Sequence, residues 1–229
     1  MTEKNKISRI AGLIYIGVVL TGIFSLMYVP SKLINYDNAS LTFQKISTSE
    51  TLFRFGIVSG LLCYTFFLFL PLILYTLLRQ VNENMAKLMV LLAVISVPMY
   101  FINVQNELTA LSLIDTPNYL RVFNQEQIQA QVLFYIDQYD EGMRLIHIFS
   151  VLWLFPFGYL VFKSNFLPRF FGILLMLGSL GYLLNFFGHT LISNYSELGI
   201  GSYLSLPASL GEIGICLWLV FIGAKDNKQ

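Results

Sequence analysis

The chain has few charged residues. Asp, Glu, Lys and Arg make up only 12% of its 229 residues, whereas 56% are hydrophobic and 15% are aromatic. Because a soluble domain carries about 25% charged residues, this sequence lacks the polar side chains needed to cover a water-exposed globule. The composition argues against an ordinary soluble protein and favours one whose solvent is largely lipid.

Cysteines and catalytic motifs are also scarce. Cys63 and Cys216 both lie in apolar runs, where a thiol behaves as a small apolar group, so no disulfide framework is expected. The sequence contains no phosphate-binding glycine loop and no G-x-S-x-G motif. It also has no basic surface interleaved with aromatic residues. We therefore expect no cofactor and no nucleic-acid partner.

Long apolar runs are the dominant feature of the sequence. A membrane-spanning helix needs roughly 20 mostly apolar residues to cross a hydrocarbon core about 30 Å thick. Six runs meet this requirement, and their lengths fit helices rather than barrel strands. They cover residues 10–29, 52–78, 85–106, 145–162, 167–190 and 204–223. The predicted fold is an all-α, polytopic transmembrane helical bundle that forms one integral membrane domain over residues 1–229.

The distribution of Lys and Arg predicts the orientation of the six spans. Positively charged flanks resist translocation across the membrane, whereas acidic flanks matter little. One side carries nine basic residues and the other five, so we expect both termini in the cytoplasm. The nine are Lys4, Lys6, Arg9, Arg79, Lys87, Lys163, Arg169, Lys225 and Lys228, and the five are Lys32, Lys45, Arg54, Arg121 and Arg144. The first run is too long for the core of a signal peptide, which predicts an anchor that is not cleaved.

The third outer connection has a helical pattern of its own. Apolar residues recur at helical spacing from Ile128 to Ile136, within the segment between Asn124 and Tyr139. Asn124 is followed three residues later by Gln127, which forms a capping box. We interpret the segment as an amphipathic interfacial helix, which either joins two spans or covers an outer cavity as a lid.

Small residues predict where helices approach closely. Gly56 and Gly60 form a G-x-x-x-G motif in the second run, and Gly211 and Gly214 flank Glu212 in the sixth. Because such residues let two backbones come together, close helix contacts are expected at both places.

Polar residues inside the spans fall at similar predicted depths. A rise of about 1.5 Å per residue places Glu212 roughly 17 Å from the cytoplasmic end of its span, a little past the midplane. The same count places one polar residue of each other span at about 17 to 22 Å. These residues are Thr21, Thr65, Asn103, His147 and Asn185. Because a charged carboxylate at this depth costs about 2.5 kcal/mol or more, Glu212 and this layer should face the bundle interior.

These residues predict a polar pocket in the outer half of the bundle. Arg54 and Arg144 can reach the pocket from its outer rim, where either could pair with Glu212. Alternatively, Glu212 and His147 could share a hydrogen bond. A third interpretation is that Glu212 only forms a structural hydrogen bond between helices.

Four residues have side chains that could bind zinc. They are Glu107, His147, His189 and Glu212. No H-E-x-x-H pair is present, and the predicted heights spread over about 12 Å, which is too far for ligands about 2 Å from one ion. The sequence therefore predicts no metal and no catalytic residue, and these four are kept only as an alternative.

Several segments together resemble a known family. They are SRIAGLIYI, LFRFGIV, LYTLLRQVN, NFLPRFFGILLMLGSLGYLL and LGEIGICLWLV. In this order they resemble the domain of unknown function 4386 family of uncharacterised bacterial six-span integral membrane proteins, over nearly the whole chain. The resemblance implies the six-span architecture and a location in the cytoplasmic membrane. It implies no substrate, cofactor or catalytic residue.

Three classes of function are compatible with this sequence. We favour a non-enzymatic binding or transport-like bundle whose outer polar pocket accepts a small amphiphile or lipid. The alternatives are an intramembrane enzyme of the metal-dependent hydrolase type, using Glu212 with His147 or His189, and a structural partner of another membrane protein. The sequence does not predict the ligand, the oligomeric state or any protein partner.

Overall fold

The structure, a computed structural model, describes residues 2–115 and 117–224, apart from the side chains of residues 119, 121 and 196. All regular elements in these ranges are helical, which confirms the predicted all-α fold. The helices are α1 (Glu3–Ile23), α2 (Val29–Leu33), α3 (Ala39–Thr48), α4 (Glu50–Leu78), α5 (Glu83–Asn103), α6 (Gln105–Ile114), α7 (Gln125–Leu152), α8 (Leu154–Lys163), α9 (Arg169–Leu191) and α10 (Ile200–Phe221). A π-helical segment, Phe24–Tyr28, joins α1 to α2.

Six helical segments of the described chain are long and apolar enough to cross a membrane. They are Glu3–Leu33, Glu50–Leu78, Glu83–Ile114, Gln125–Lys163, Arg169–Leu191 and Ile200–Phe221. Each overlaps one of the six predicted runs, so the predicted number of spans is confirmed. The predicted orientation is not tested by this result, and Lys225 and Lys228 lie outside the described residues.

The predicted interfacial segment is the first part of a longer helix. Its capping box forms, because the Asn124 backbone N–H donates to Gln127 Oε1 and the Gln127 N–H donates to Asn124 Oδ1, both across 2.9 Å. From this cap α7 continues unbroken to Leu152. The segment is therefore not a separate helix, since its helical hydrogen bonds run on into the fourth span. Its position at a membrane surface stays a prediction.

The chain divides into two compact units. The first, which we call the terminal unit, comprises Met1–Gly17, Phe66–Val97 and His147–Gln229. The second, the loop unit, comprises Val18–Thr65 and Pro98–Ile146. Each of the first four spans contributes residues to both units, and the prediction of a single domain stays a prediction.

Close backbone contacts hold the terminal unit together. A Cβ at Gly158 of α8 would overlap the carbonyl oxygen of Gly172 in α9. Gly214 and Gly211 of α10 face α9. A Cβ at Gly214 would overlap the Phe171 ring, and a Cβ at Gly211 would crowd α9. The close contact predicted for the sixth run is therefore confirmed, and small residues explain how these helices pack without a gap.

Aromatic residues and glycines form the centre of the loop unit. The rings of Tyr64 and Tyr100 stack with their centroids 3.8 Å apart. A Cβ at Gly60 would overlap the Tyr100 hydroxyl, and a Cβ at Gly56 would crowd Val29. The G-x-x-x-G motif of the second run therefore makes the predicted close contacts, although one of them is with a tyrosine side chain.

Candidate functional site

Glu212 is hydrogen-bonded within the terminal unit. The Tyr15 hydroxyl donates to Glu212 Oε1 across 3.1 Å, and Tyr15 is only 2% exposed. One turn after Glu212, the Cys216 thiol lies 3.8 Å from the Gly12 carbonyl oxygen on the same helix as Tyr15. Glu212 therefore links α10 to α1, as expected of a structural polar contact between helices.

Asn185 has a similar structural role in the terminal unit. Its Nδ2 donates to the Gly201 carbonyl across 2.9 Å, and its Oδ1 accepts from the Tyr195 hydroxyl across 2.7 Å. A Cβ at Gly188 would overlap the Tyr195 ring, so this glycine allows the ring to pack against α9. Asn185 therefore joins α9, α10 and the 3₁₀ turn between them.

No hydrogen bond joins either histidine to Glu212 within the residues that the structure describes. His147 and His189 are both exposed, which does not support an inward-facing position for His147. The His189 ring packs edge-on against Tyr195, with the centroids 4.8 Å apart. Across residues 2–115 and 117–224, no three or more His, Cys, Asp or Glu side chains lie close enough to hold a metal ion. The described structure therefore does not bring the four zinc-binding side chains into one centre.

Asn103 anchors a polar cluster in the loop unit. Its Nδ2 donates to the Tyr139 carbonyl across 2.8 Å, and its Oδ1 accepts from Asn106 Nδ2 across 3.1 Å. The Tyr139 hydroxyl reaches the Tyr100 hydroxyl at 3.4 Å. A Cβ at Gly142 would overlap the Asn103 amide, so this glycine allows α5 and α7 to approach.

Glu107 lies one turn after Asn103 and completes this cluster. Its Oε2 atom is buried and has no hydrogen-bond partner among the described residues. Asp140, an acid of the same unit whose charge acts on Glu107, accepts a hydrogen bond from the Tyr36 hydroxyl. Burial and this bond to Asp140 raise the pKa of Tyr36, so its hydroxyl keeps the donated proton to a higher pH than an ordinary tyrosine. We call the set Tyr100, Asn103, Asn106, Glu107, Tyr139 and Asp140 the Glu107 cluster.

The remaining predicted site residues have local partners. The Thr21 hydroxyl donates to the Val18 carbonyl and the Thr65 hydroxyl to the Leu61 carbonyl, each within its own helix. Such bonds are usual for threonine in helices and do not indicate a ligand.

The two arginines of the predicted pocket have acidic partners in the loop unit. Arg54 pairs with Glu50 at 2.6 Å and lies 3.7 Å from Asp115. Arg144 pairs with Glu141 at 2.8 Å. All of these side chains are substantially exposed, so the ion pairs contribute little to stability.

Sequence reasoning missed the tyrosines of the Glu107 cluster. The count of polar residues by depth treated tyrosine as aromatic and therefore omitted Tyr100 and Tyr139. Glu107 itself was considered only as a zinc ligand. Counting tyrosine hydroxyls within apolar runs would have drawn attention to Tyr100, but its contact with Tyr139 depends on packing between α5 and α7.

The helices and their buried polar contacts define a polytopic helical protein of the membrane type. The chain belongs to the family described as Domain of unknown function (DUF4386), which matches residues 10–223. This confirms the family to which the sequence was likened. An uncharacterised protein of Archaeoglobus fulgidus is 33% identical over 86 residues, which are 36% of this chain and 46% of that protein. The match thus spans less than half the length of that relative, and no solved structure matches the chain.

Proposed function

We propose that this protein binds a small amphiphile or lipid at the Glu107 cluster, as a binding or transport-like bundle without catalysis. The observation that carries the proposal is the buried Glu107 Oε2 atom, which lacks a hydrogen-bond partner in the described chain. A buried polar group left without a partner costs about 1 to 3 kcal/mol. A ligand that donates a hydrogen bond to this oxygen would recover that free energy.

The charges around Glu107 favour a head group that carries N–H donors. Asp140 acts on Glu107 as a second acid, while Arg144 offsets part of the charge of Asp140. The rings of Tyr100 and Tyr139 lie edge-on to each other in the same cluster, with their centroids 6.4 Å apart. A primary ammonium group could bind the carboxylate and also lie against an aromatic face. The supported ligand class is therefore an amphiphile with an ammonium head.

The proposed location is the outer leaflet of the cytoplasmic membrane. The distribution of Lys and Arg supports cytoplasmic termini and an outer position for the connection between the third and fourth spans. In this orientation the first part of α7 lies at the outer surface, beside the Glu107 cluster.

The hydrolase alternative has no supporting contact in the described residues. The contact made by Glu212 is with Tyr15, and both histidines proposed as its partners are exposed. Of the predicted pocket, the proposal therefore retains Asn103 and Arg144 and adds Glu107 and Asp140.

Two lysophospholipids with matched tails test the proposal. Lysophosphatidylethanolamine has an ammonium head with N–H donors, whereas the choline head of lysophosphatidylcholine has none. We expect native mass spectrometry of the detergent-extracted protein to show preferential binding of the ethanolamine lipid. Glu107→Gln should weaken this binding about tenfold or more, since a charge-assisted hydrogen bond contributes about 1.5 to 3 kcal/mol.

Glu126→Gln is the matched control, because Glu126 is an exposed acid of the same unit. It removes the same charge and should leave the affinity unchanged. Equal binding of both lipids, or equal loss in the two variants, would contradict the proposal. Failure to bind either lipid would instead favour a structural role for the chain.

A further inference from the structure

A polar cleft opens at one end of the terminal unit. It has a volume of about 440 Å³, and its lining includes Lys4, Gln80, Lys163, Ser164, Asn165 and Phe166. Two of these residues are basic and none is acidic. Neither Lys4 nor Lys163 forms an ion pair with a described residue, although Lys4 Nζ lies over the Phe166 ring at 5.6 Å. The cleft therefore presents positive charge that the described residues leave unneutralised.

An apolar groove adjoins this cleft. It has a volume of about 670 Å³ and runs between α1 and the end of α4, where Ile7, Ile10, Ile73 and Leu77 line it. Lys4 and Gln80 line both cavities, so the groove and the cleft share part of their walls. Arg79 adds a third basic residue to the groove, and Glu3 is its one acidic lining residue. The apolar groove suits an acyl chain, and the positively charged cleft beside it suits an anionic head group. Together they have the form expected of a binding site for an anionic amphiphile.

The loop that forms one wall of the cleft is fixed by its own hydrogen bonds. The Ser164 hydroxyl donates to the Val161 carbonyl and accepts from the Leu167 N–H. Asn165 has a φ of 59°, a conformation uncommon for a residue other than glycine, and its side chain accepts from the Arg169 guanidinium across 2.8 Å. The wall beside Lys163 is thus held in place before any ligand arrives.

We propose that this cleft and groove bind an anionic phospholipid. Its phosphate lies between Lys4 and Lys163, and one acyl chain follows Ile7, Ile10 and Ile73. The three basic and one acidic lining residues leave a net positive charge, which complements a head group with one negative charge. Basic pockets of this kind between membrane helices are suited to acidic lipid head groups. The site lies entirely in the terminal unit and is independent of the Glu107 cluster.

Lipid binding by the intact protein in detergent tests this site. Native mass spectrometry should show tighter binding of phosphatidylglycerol than of phosphatidylcholine with the same acyl chains. The double variant Lys4→Gln/Lys163→Gln should weaken phosphatidylglycerol binding about 20- to 30-fold, since each lysine near an anionic lipid contributes about fivefold. Both side chains are exposed, so the variant should fold, and each single variant gives a second measurement of the same loss.

The matched control is Lys6→Gln/Lys87→Gln, which removes the same charge from exposed lysines that do not line the cleft. It should retain the preference for phosphatidylglycerol. Thr76→Trp, at an exposed position in the groove, should weaken binding of both phospholipids by obstructing the acyl chain.

Three results would overturn the proposal. The first is equal binding of phosphatidylglycerol and phosphatidylcholine. The second is an equal loss in the cleft variant and its control. The third is binding of inorganic phosphate as tight as that of phosphatidylglycerol, which would indicate a site for a free anion rather than a lipid.

Discussion

Glu212 of the terminal unit and Glu107 of the loop unit are both half-buried, but the two carboxylates differ in their hydrogen bonding. Glu212 of the terminal unit accepts from a buried tyrosine hydroxyl. Glu107 of the loop unit has a buried oxygen that no described residue reaches. Predicted depth in the span favours Glu212 over Glu107 as the carboxylate of a ligand-binding site. The structure instead points to Glu107, because an unfilled hydrogen-bonding position indicates where a ligand can bind.

The sharpest test of this comparison is Glu212→Leu. This substitution leaves the Tyr15 hydroxyl buried without its acceptor, so we expect a loss of about 1 to 2 kcal/mol in the free energy of unfolding. Thermal or denaturant unfolding in detergent measures it. An unchanged stability would show that the Tyr15 contact does not link α1 and α10.

A second test removes both partners of the Glu212 contact. Tyr15→Phe in the Glu212→Leu background deletes the stranded hydroxyl, and we expect it to restore about 1 kcal/mol. The same unfolding experiment compares the double variant with both single variants. If the losses from the two single substitutions simply add, the residues are not coupled through a hydrogen bond.

Glu107→Leu should have a smaller effect of the opposite sign. The substitution removes an oxygen that lacks a partner, so we expect unfolding stability to rise by about 0.5 kcal/mol in lipid-free detergent. A loss of stability comparable to that of Glu212→Leu would mean that Glu107 is as fully hydrogen-bonded as Glu212. The two glutamates would then not differ in their hydrogen bonding.

The smallest expected effect concerns Tyr36 in the loop unit. Because folding raises its pKa, the unfolded chain releases this proton first, and stability should fall as the pH rises above about 10. Tyr36 is 53% exposed, so solvent screening limits the effect to about 0.5 kcal/mol or less. Unfolding of Tyr36→Phe and the parent chain between pH 9 and about 10.5 measures the difference. If the free energy of unfolding changes equally with pH in both chains, the hydrogen bond from Tyr36 to Asp140 does not contribute to stability.

Local features of the fold were predictable from the sequence. Hydropathy depends only on neighbouring residues, so the six apolar runs correspond to the six long helices. The cap at Asn124 and the close approach of Gly60 also follow from short motifs. The continuity of α7 was not predictable, because the polar residues between Gln125 and the fourth run interrupt the hydropathy without ending the helix.

The partners within each site were much less predictable. The depth count selected Asn103, but its bond to Tyr139 joins residues 36 positions apart and depends on how α5 and α7 pack. The contact between Tyr15 and Glu212 spans 197 positions. Sequence patterns identify residues that need a partner, whereas only packing determines which of them find one.

The backbone contact between Gly158 and Gly172 has a consequence for biosynthesis. α8 and α9 are neighbours along the chain, joined by residues 164–168, and they touch without help from any other helix. The pair can therefore assemble as a hairpin soon after α9 leaves the ribosome, before α10 has emerged from it. A bulky side chain at Gly172 would then interfere with insertion through the translocon rather than only with the stability of the finished protein.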